Sequence, residues 1–393
     1  MGTFARLLET STASDTTILA TAPPSGLAPI AADGTTNESA ALQALLTWVD
    51  VAYGGGQVRL PSGVTIKCNS GLTVPTGVQL VSDASTVLDF SGIGSGTAIT
   101  VNDSERTPLI GVNITGPNST ASLSDTSIGI SVTGIQLRFY DVQVSHFGRG
   151  IDLAHSETFI INFSGGFVDR CGTGVYADHE TAATTNAGEG IGFSQFSVSN
   201  SAVGINVSGN GTQFHLTDNS RIDFCTKFGI ILNAWVYFTA FHLETIGASG
   251  GLTYLFDVSG NSHVSMSNGD VIMGASAGSA LTNLFNPSNG PANYSYGLAR
   301  FSNVTVFYQN PSSVSGNVFS EHMYPWTAST TTANFHTPFP LKWCAVSADF
   351  CVTDGYTQPN TDRVQITAMG GGAGTFTLTT PSNANQRWIR VHF

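Results

Sequence analysis

Val144-Ser-His-Phe-Gly-Arg-Gly-Ile151, Val168-Asp-Arg-Cys-Gly-Thr-Gly-Val175, Val198-Ser-Asn-Ser-Ala-Val-Gly-Ile205 and Ile222-Asp-Phe-Cys-Thr-Lys-Phe-Gly-Ile230 are four versions of one pattern. Their first residues lie 24, 30 and 24 positions apart, and a Gly precedes the closing β-branched residue each time. Short apolar runs repeated at that period form units that cannot bury their apolar side alone and must stack on their neighbours. Strands stacked coil on coil are parallel and about 4.8 Å apart. The recurring Gly predicts a sharp bend at the same corner of each coil. Cys171 and Cys225 hold equivalent places two coils apart, a separation of roughly 10 Å that is beyond disulfide reach and predicts buried free thiols.

The same texture of Val, Ile, Leu, Phe and Thr broken by Gly, Asn, Ser and Asp runs from Gln57 to about residue 312, the expected extent of the solenoid body. Upstream, the apolar positions of Ala41-Leu42, Leu45-Leu46 and Val49 fall on one helical face. Thr36 or Asn37 is suited to the N-cap and Gly54-Gly55-Gly56 to the stop, so residues 31–56 are expected to form a capping helix. Residues 1–30, ending in Pro23-Pro24-Ser25-Gly26, read as a tether. Beyond 312 the repeat fades. Asp362–Ala368, Thr375–Thr379 and Arg387–Phe393 alternate in the strand period, which predicts a separate antiparallel β region over 313–393, a trimerisation or ligand-binding domain. The fold class expected is all-β: a parallel β-solenoid with one N-terminal helix and an antiparallel C-terminal part.

Composition agrees. Charged residues are 10% of 393, against roughly 25% in ordinary soluble proteins. The three lysines, Lys67, Lys227 and Lys342, are too few for long surface helices. Hydrophobic residues at 41%, including 24 Phe, exclude a disordered chain. A net charge of −12 without any basic run argues against nucleic-acid and anionic-membrane partners. No window approaches the ~18 apolar residues of a membrane span, and Met1 to Ala22 contains no apolar stretch of signal-peptide length. Five Cys without a CxxC pair, and nine His without HxH or HExxH, give no case for a metal; no cofactor is expected.

The segment Ala32-Asp-Gly-Thr-Thr-Asn-Glu-Ser-Ala-Ala-Leu-Gln-Ala-Leu-Leu46, followed by Gly55-Gly-Gln-Val-Arg-Leu-Pro-Ser-Gly63 and Leu72-Thr-Val-Pro-Thr-Gly-Val-Gln-Leu80, resembles the opening of right-handed parallel β-helices of the pectate-lyase-like superfamily. The short N-terminal tether and distinct β tail are most similar to its bacteriophage tailspike branch. That resemblance implies a homotrimer in the virion that binds, and usually cleaves, a bacterial surface polysaccharide, and that meets other tail or baseplate proteins through its N-terminus. It does not decide the chemistry, because hydrolases, lyases, esterases and non-catalytic adhesins share the fold.

Chemistry must come from side chains that the repeat brings together. The residue after the first apolar position is Ser145, Asp169, Ser199 and Asp223 in successive coils, and His242-Leu243-Glu244 extends the series to Glu244. With apolar neighbours turned inward, these face outward. Asp223 and Glu244 are then about 5 Å apart, and Asp169 and Asp223 near 10 Å. Retaining glycosidases hold their carboxyls ≈5 Å apart and inverting ones ≈6.5–9.5 Å, so this column offers either geometry, with Glu244, Asp223 and Asp169 as catalytic candidates. Phe241-His242-Leu243-Glu244 is also similar to a His-aromatic-Glu pattern of phage β-helix depolymerases. Arg170, Arg221 and His242 are candidate sugar ligands, though each Arg can equally pair with its neighbouring Asp. Trp235 and Tyr237 are expected at the corner before Glu244, where they either stack on sugar or cover the next coil. The Asp178-His179-Glu180 segment, in an insertion from Ala177 to Glu189, is a further place of interest. Glycoside hydrolysis is the reading favoured; a non-catalytic receptor-binding fibre and a polysaccharide lyase are the alternatives, the lyase weakened by the scarcity of Lys and the acidic balance.

Overall fold

The structure is a computed structural model that describes residues 16–179, 187–245, 254–260 and 262–273, and beyond residue 273 the backbone of the strands named below. Among the described residues one helix, Ser39–Tyr53, is followed by a long succession of short strands. Almost all pair in parallel with the strand one coil away, consistent with a right-handed β-helix.

The coils present three faces. Nine parallel strands make one, running from Leu72–Val74 through Arg149–Asp152, Thr173–Asp178, Val203–Ser208 and Lys227–Leu232 to Asn283–Phe285. A second includes Ile191–Ser194, Gln213–Thr217 and Trp235–Thr239. A third includes Ser197–Ser199, Ser220–Asp223 and Phe241–Thr245. The longer strands Arg138–Ser145, Asn162–Asp169, His263–Met273 and Ala299–Tyr308 bend and belong to both of the last two.

The register places Val144, Val168, Val198, Ile222, Leu243 and Val271 in one inward column. All six are fully buried, worth roughly 1.5–3 kcal/mol for each such side chain. On the second face the rings of Phe139, Phe163, Phe193 and Phe214 stack inside the barrel, with centroids 4.3, 4.9 and 5.2 Å apart. Cys68, Cys171 and Cys225 are free and buried, as expected, and burial pushes each thiol up to about 12. Cys344 and Cys351 lie outside the described residues.

The repeating Gly has a different cause from the one expected. Gly150, Gly174 and Gly204 lie inside strands rather than at a bend. A Cβ on Gly174 would stand 2.3 Å from Val198 Cγ1 and 2.6 Å from the carbonyl oxygen of Gly204; Gly150 and Gly204 are equally crowded. Close approach between coils requires them. In the fourth copy the alignment is one residue off, because Ile205 pairs with Gly229 and not with Ile230. Phe228 takes the place of the small residue there, and Gly229 pairs with Phe256, whose ring would stand only 3.0 Å from a Cβ.

The helix buries Leu42, Leu45, Leu46 and Val49 against the first coils, while Ala41 is only partly covered. It begins one or two residues later than the expected cap, at Glu38, but Asn37 still organises its start: Asn37 Oδ1 accepts from Ser39 Oγ (2.8 Å) and Asn69 N (3.0 Å). Gly54, at φ 66°, ends it, its N–H donating to the Asp50 carbonyl at 2.7 Å. Residues 17–30, taken above as tether, instead carry the strand Thr17–Leu19, paired with Gly56–Arg59, and two core residues, Ala20 and Ile30. In the tail, Glu321–Trp326, Arg387–His392 and Ser347–Phe350 form one three-stranded antiparallel sheet, and Thr332–His336, Thr375–Thr379 and Gln365–Met369 another.

Candidate active site

The third face carries the polar column. Ser145, Asp169, Ser199, Asp223 and Glu244 are Cα partners on successive coils, in the order the repeat implies. Two positions earlier on each strand, and so on the same face, Arg221, His242 and Asp270 form a parallel column. The result is a cluster centred on the His242 imidazole. Its Nδ1–H donates to Asp270 Oδ2 at 2.6 Å. Its Nε2 faces Glu244 Oε2 at 3.4 Å and Asp223 Oδ1 at 3.7 Å. With Nδ1 committed as donor to a carboxylate, the neutral ring leaves Nε2 as an acceptor, and only the doubly protonated ring can donate toward Glu244.

Asp223 is the least ordinary member. Although its column faces outward, the residue is buried, at 8% exposure, with Arg221 Nη1 3.9 Å from Oδ2. Its Oδ1 has no hydrogen-bond partner among the described residues. Burial raises the Asp223 pKa above the aspartate range, His242 and Arg221 oppose that, and the neighbouring Glu244 and Asp270 charges reinforce it. Desolvation therefore favours a carboxylic acid here, beside the more exposed carboxyls of Glu244 and Asp270. The Nε2 distances of 3.7 and 3.4 Å bound the separation of those Asp223 and Glu244 oxygens at about 7.1 Å by the triangle inequality. That admits the ≈5 Å spacing of retaining glycosidases and only the lower end of the inverting range.

Asp169 stands apart, two coils away with Ser199 between. Its Oδ1 accepts from Ser199 Oγ (2.9 Å) and Asn200 Nδ2 (2.7 Å), and Arg170 Nε lies 3.6 Å from Oδ2. Arg170 and Arg221 thus both lie near the adjacent Asp, at distances longer than a hydrogen bond, with half-exposed guanidinium groups. Asp270 escaped sequence reasoning because the repeat was not followed past Glu244; the signal was an Asp two residues after Asn268, in step with His242.

Trp235 and Tyr237 are not at a corner. They lie within the strand Trp235–Thr239 on the second face, and the chain turns at Ala240, φ 51°, before reaching His242. Tyr237 stacks on His215 (4.7 Å, 10°) and tilts toward His263 (5.7 Å), while Trp235 is 46% exposed. The outcome is an aromatic strip beside the carboxylate face. The Asp178-His179-Glu180 segment does not form a loop site in its described part. Asp178 ends a strand and accepts from Tyr176 Oη (2.9 Å). His179 is buried, with Nε2 2.8 Å from the Leu153 carbonyl oxygen and Nδ1 3.3 Å from Thr212 Oγ1, a partnered interior histidine. Glu180 lies outside the described residues. Among the described residues no cluster of His, Cys, Asp and Glu could hold a metal ion, and no helix is long and apolar enough to cross a membrane.

No family model and no curated protein matches the chain. Among solved structures it is similar to the ORF18 protein of Geobacillus virus E2, with 14% identity over 96% of this chain and 77% of that one and a TM-score of 0.52. It is also similar to an endo-xylogalacturonan hydrolase from Aspergillus tubingensis (13%, 75% and 93%, TM-score 0.42). A tailspike protein mutant of E. coli bacteriophage HK620 in complex with a pentasaccharide gives 11% identity over 91% and 90% of the two chains, with a TM-score of 0.33. At these identities the likeness is one of fold.

Proposed function

We propose that the chain is a tailspike of a bacteriophage virion that binds a bacterial surface polysaccharide (capsule, O-antigen or exopolysaccharide) and cleaves it by acid/base glycoside hydrolysis. The observation that carries this reading is the Asp223–His242–Glu244–Asp270 cluster on three neighbouring coils. Asp223, whose burial favours the protonated carboxyl, donates its proton to the glycosidic oxygen. Glu244, across the imidazole, attacks the anomeric carbon or draws a proton from the attacking water, according to which of the two spacings the bound substrate selects. His242, held by Asp270, keeps a titratable group between the two carboxyls. The mostly neutral, hydroxyl-rich surface suits a sugar ligand, and Arg170, Arg221, Trp235 and Tyr237 supply polar and stacking contacts along it. Asp169 belongs to the binding column, its donors fixing it as a hydrogen-bond acceptor for sugar hydroxyls.

In this reading the protein works as a homotrimer outside the host cell, joined to other tail or baseplate proteins through the residues before the first strand. The test is incubation of the purified chain with a panel of bacterial capsular, O-antigen and exopolysaccharides. New saturated reducing ends establish the hydrolase. An unsaturated uronate chromophore identifies a lyase, and binding without new ends identifies an adhesin; either result overturns the hydrolytic assignment. Light scattering that gives a monomer removes the trimer.

A further inference from the structure

The corner where the third face turns into the nine-stranded face has a column of its own. His146, Arg170, Asn200 and Phe224 occupy it on successive coils, all with left-handed backbone, φ 68°, 51°, 49° and 57°. The backbone N–H of each donates to the carbonyl of the outward residue on the next coil: His146 to Asp169, Arg170 to Ser199, Asn200 to Asp223 and Phe224 to Glu244. The conformation is therefore imposed by the coil, whatever side chain is present. Asn and His tolerate it; a bulky apolar residue is an outlier there.

Phe224 is that outlier, and it is also 38% exposed, whereas most of the other described phenylalanines are buried. Neither folding nor solubility is served by an exposed ring in a left-handed corner. Ile160, at φ 56° and 40% exposed, is the other large apolar residue in such a conformation among the described residues, but it sits at a different corner, before the second face. Phe224 directly follows Asp223, and its own N–H is hydrogen-bonded to the Glu244 backbone at 2.6 Å. Strain that persists beside a reactive cluster is a reason to look for a function.

Resting on the proposed glycan-cleaving role of the carboxylate face, we infer that Phe224 is a sugar-stacking platform: its ring receives the C–H face of a pyranose in the polysaccharide and sets that residue against Asp223 and Glu244. Asn200 and Arg170, on the same corner one and two coils earlier, offer polar edges to the hydroxyls of the adjoining sugars. The Trp235 and Tyr237 strip lies on the opposite side of the carboxylate face, so the chain would be gripped from both flanks.

The experiment compares Phe224→Trp, Phe224→Leu and Phe224→Asn in a Glu244→Gln background that leaves the polysaccharide intact. The probe is whichever bacterial polysaccharide of the panel the Glu244→Gln chain retains. Stacking requires the ring, so Trp is expected to bind within about twofold, while Leu and Asn bind about tenfold more weakly. Asn, the residue the neighbouring coil uses, is expected to leave the melting temperature within about 3 °C. Leu binding as tightly as Phe overturns the inference and leaves the function standing. So does a loss of affinity that follows the melting temperature across the three variants. Retention of no polysaccharide by the Glu244→Gln chain and by the unaltered chain alike overturns the proposed function, and the platform with it.

Discussion

Replacing Asp223 by Asn should make the protein more stable and less active at once, and the two effects should separate with pH. The carboxyl is buried, and its Oδ1 has no hydrogen-bond partner among the described residues, which costs an ionised group about 1–3 kcal/mol. Arg221 at 3.9 Å and His242 at 3.7 Å return part of this, but at those lengths each is worth only about 0.2–1 kcal/mol. The ionised form is thus a net burden of order 1 kcal/mol, in keeping with a pKa raised chiefly by burial. Because the folded pKa lies above the unfolded one, the contribution of Asp223 to stability is fully present below the ordinary aspartate pKa and is lost as pH rises through the folded value. Urea unfolding at pH 7.5 should therefore show Asp223→Asn more stable by about 1 kcal/mol, a gain that shrinks as pH is lowered toward 4. Over the same series, cleavage should fall by about 10²–10⁴, or roughly 3–5 kcal/mol of barrier, if Asp223 is the acid. An Asn variant less stable than the parent at pH 7.5, or a gain independent of pH, refutes the burial account. Full activity refutes the assignment.

Glu244→Gln should abolish cleavage with binding intact, read by reducing-end assay and by retention on immobilised polysaccharide, and NMR of the first-formed anomer should show retention if the short carboxyl spacing is used. His242→Ala takes away a group that lowers the Asp223 pKa, so the alkaline limb of kcat/KM is expected to move to higher pH. Gly174→Ala, which sets a Cβ 2.3 Å from Val198 Cγ1, should cost about 1–3 kcal/mol in urea unfolding. Iodoacetamide at pH 8 should leave Cys68, Cys171 and Cys225 unlabelled in mass-mapped peptides until denaturant is added, since burial holds those thiols near 12.

The stacking axis was legible in the chain because apolar columns repeat at a nearly fixed interval: Val144, Val168, Val198 and Ile222 are aligned in the sequence and paired in the structure. So was the outward column, since side chains alternate across a strand and Asp223 must adjoin Glu244 once Ile222 adjoins Leu243. What escaped was whatever depends on space between coils. The glycines looked like bends, and packing against the next coil is what demands them. The fourth alignment slipped by one residue because Phe228 stands in the glycine column and Gly229 in the column of Ile151, Val175 and Ile205. Asp223 was expected on the wet surface, yet flanking groups cover it, and desolvation is a property of the neighbours more than of the residue. Asp270 and Phe224 show two other limits: one lies where the repeat loses its regular spelling, the other in a backbone conformation that no side-chain pattern announces.

The column of Cα partners has one more implication. Thirty residues of chain separate Asp169 from Ser199, 24 separate Ser199 from Asp223, and only 21 separate Asp223 from Glu244, yet each pair occupies the same rung spacing. The distance between these side chains is therefore governed by the spacing of stacked strands and is insensitive to the length of the excursion that joins them. Loops at the rims can lengthen, shorten or be exchanged while the two carboxylates stay in place. Such a scaffold divides its inheritance into a fixed chemistry on the face and a replaceable vocabulary of recognition at the edges.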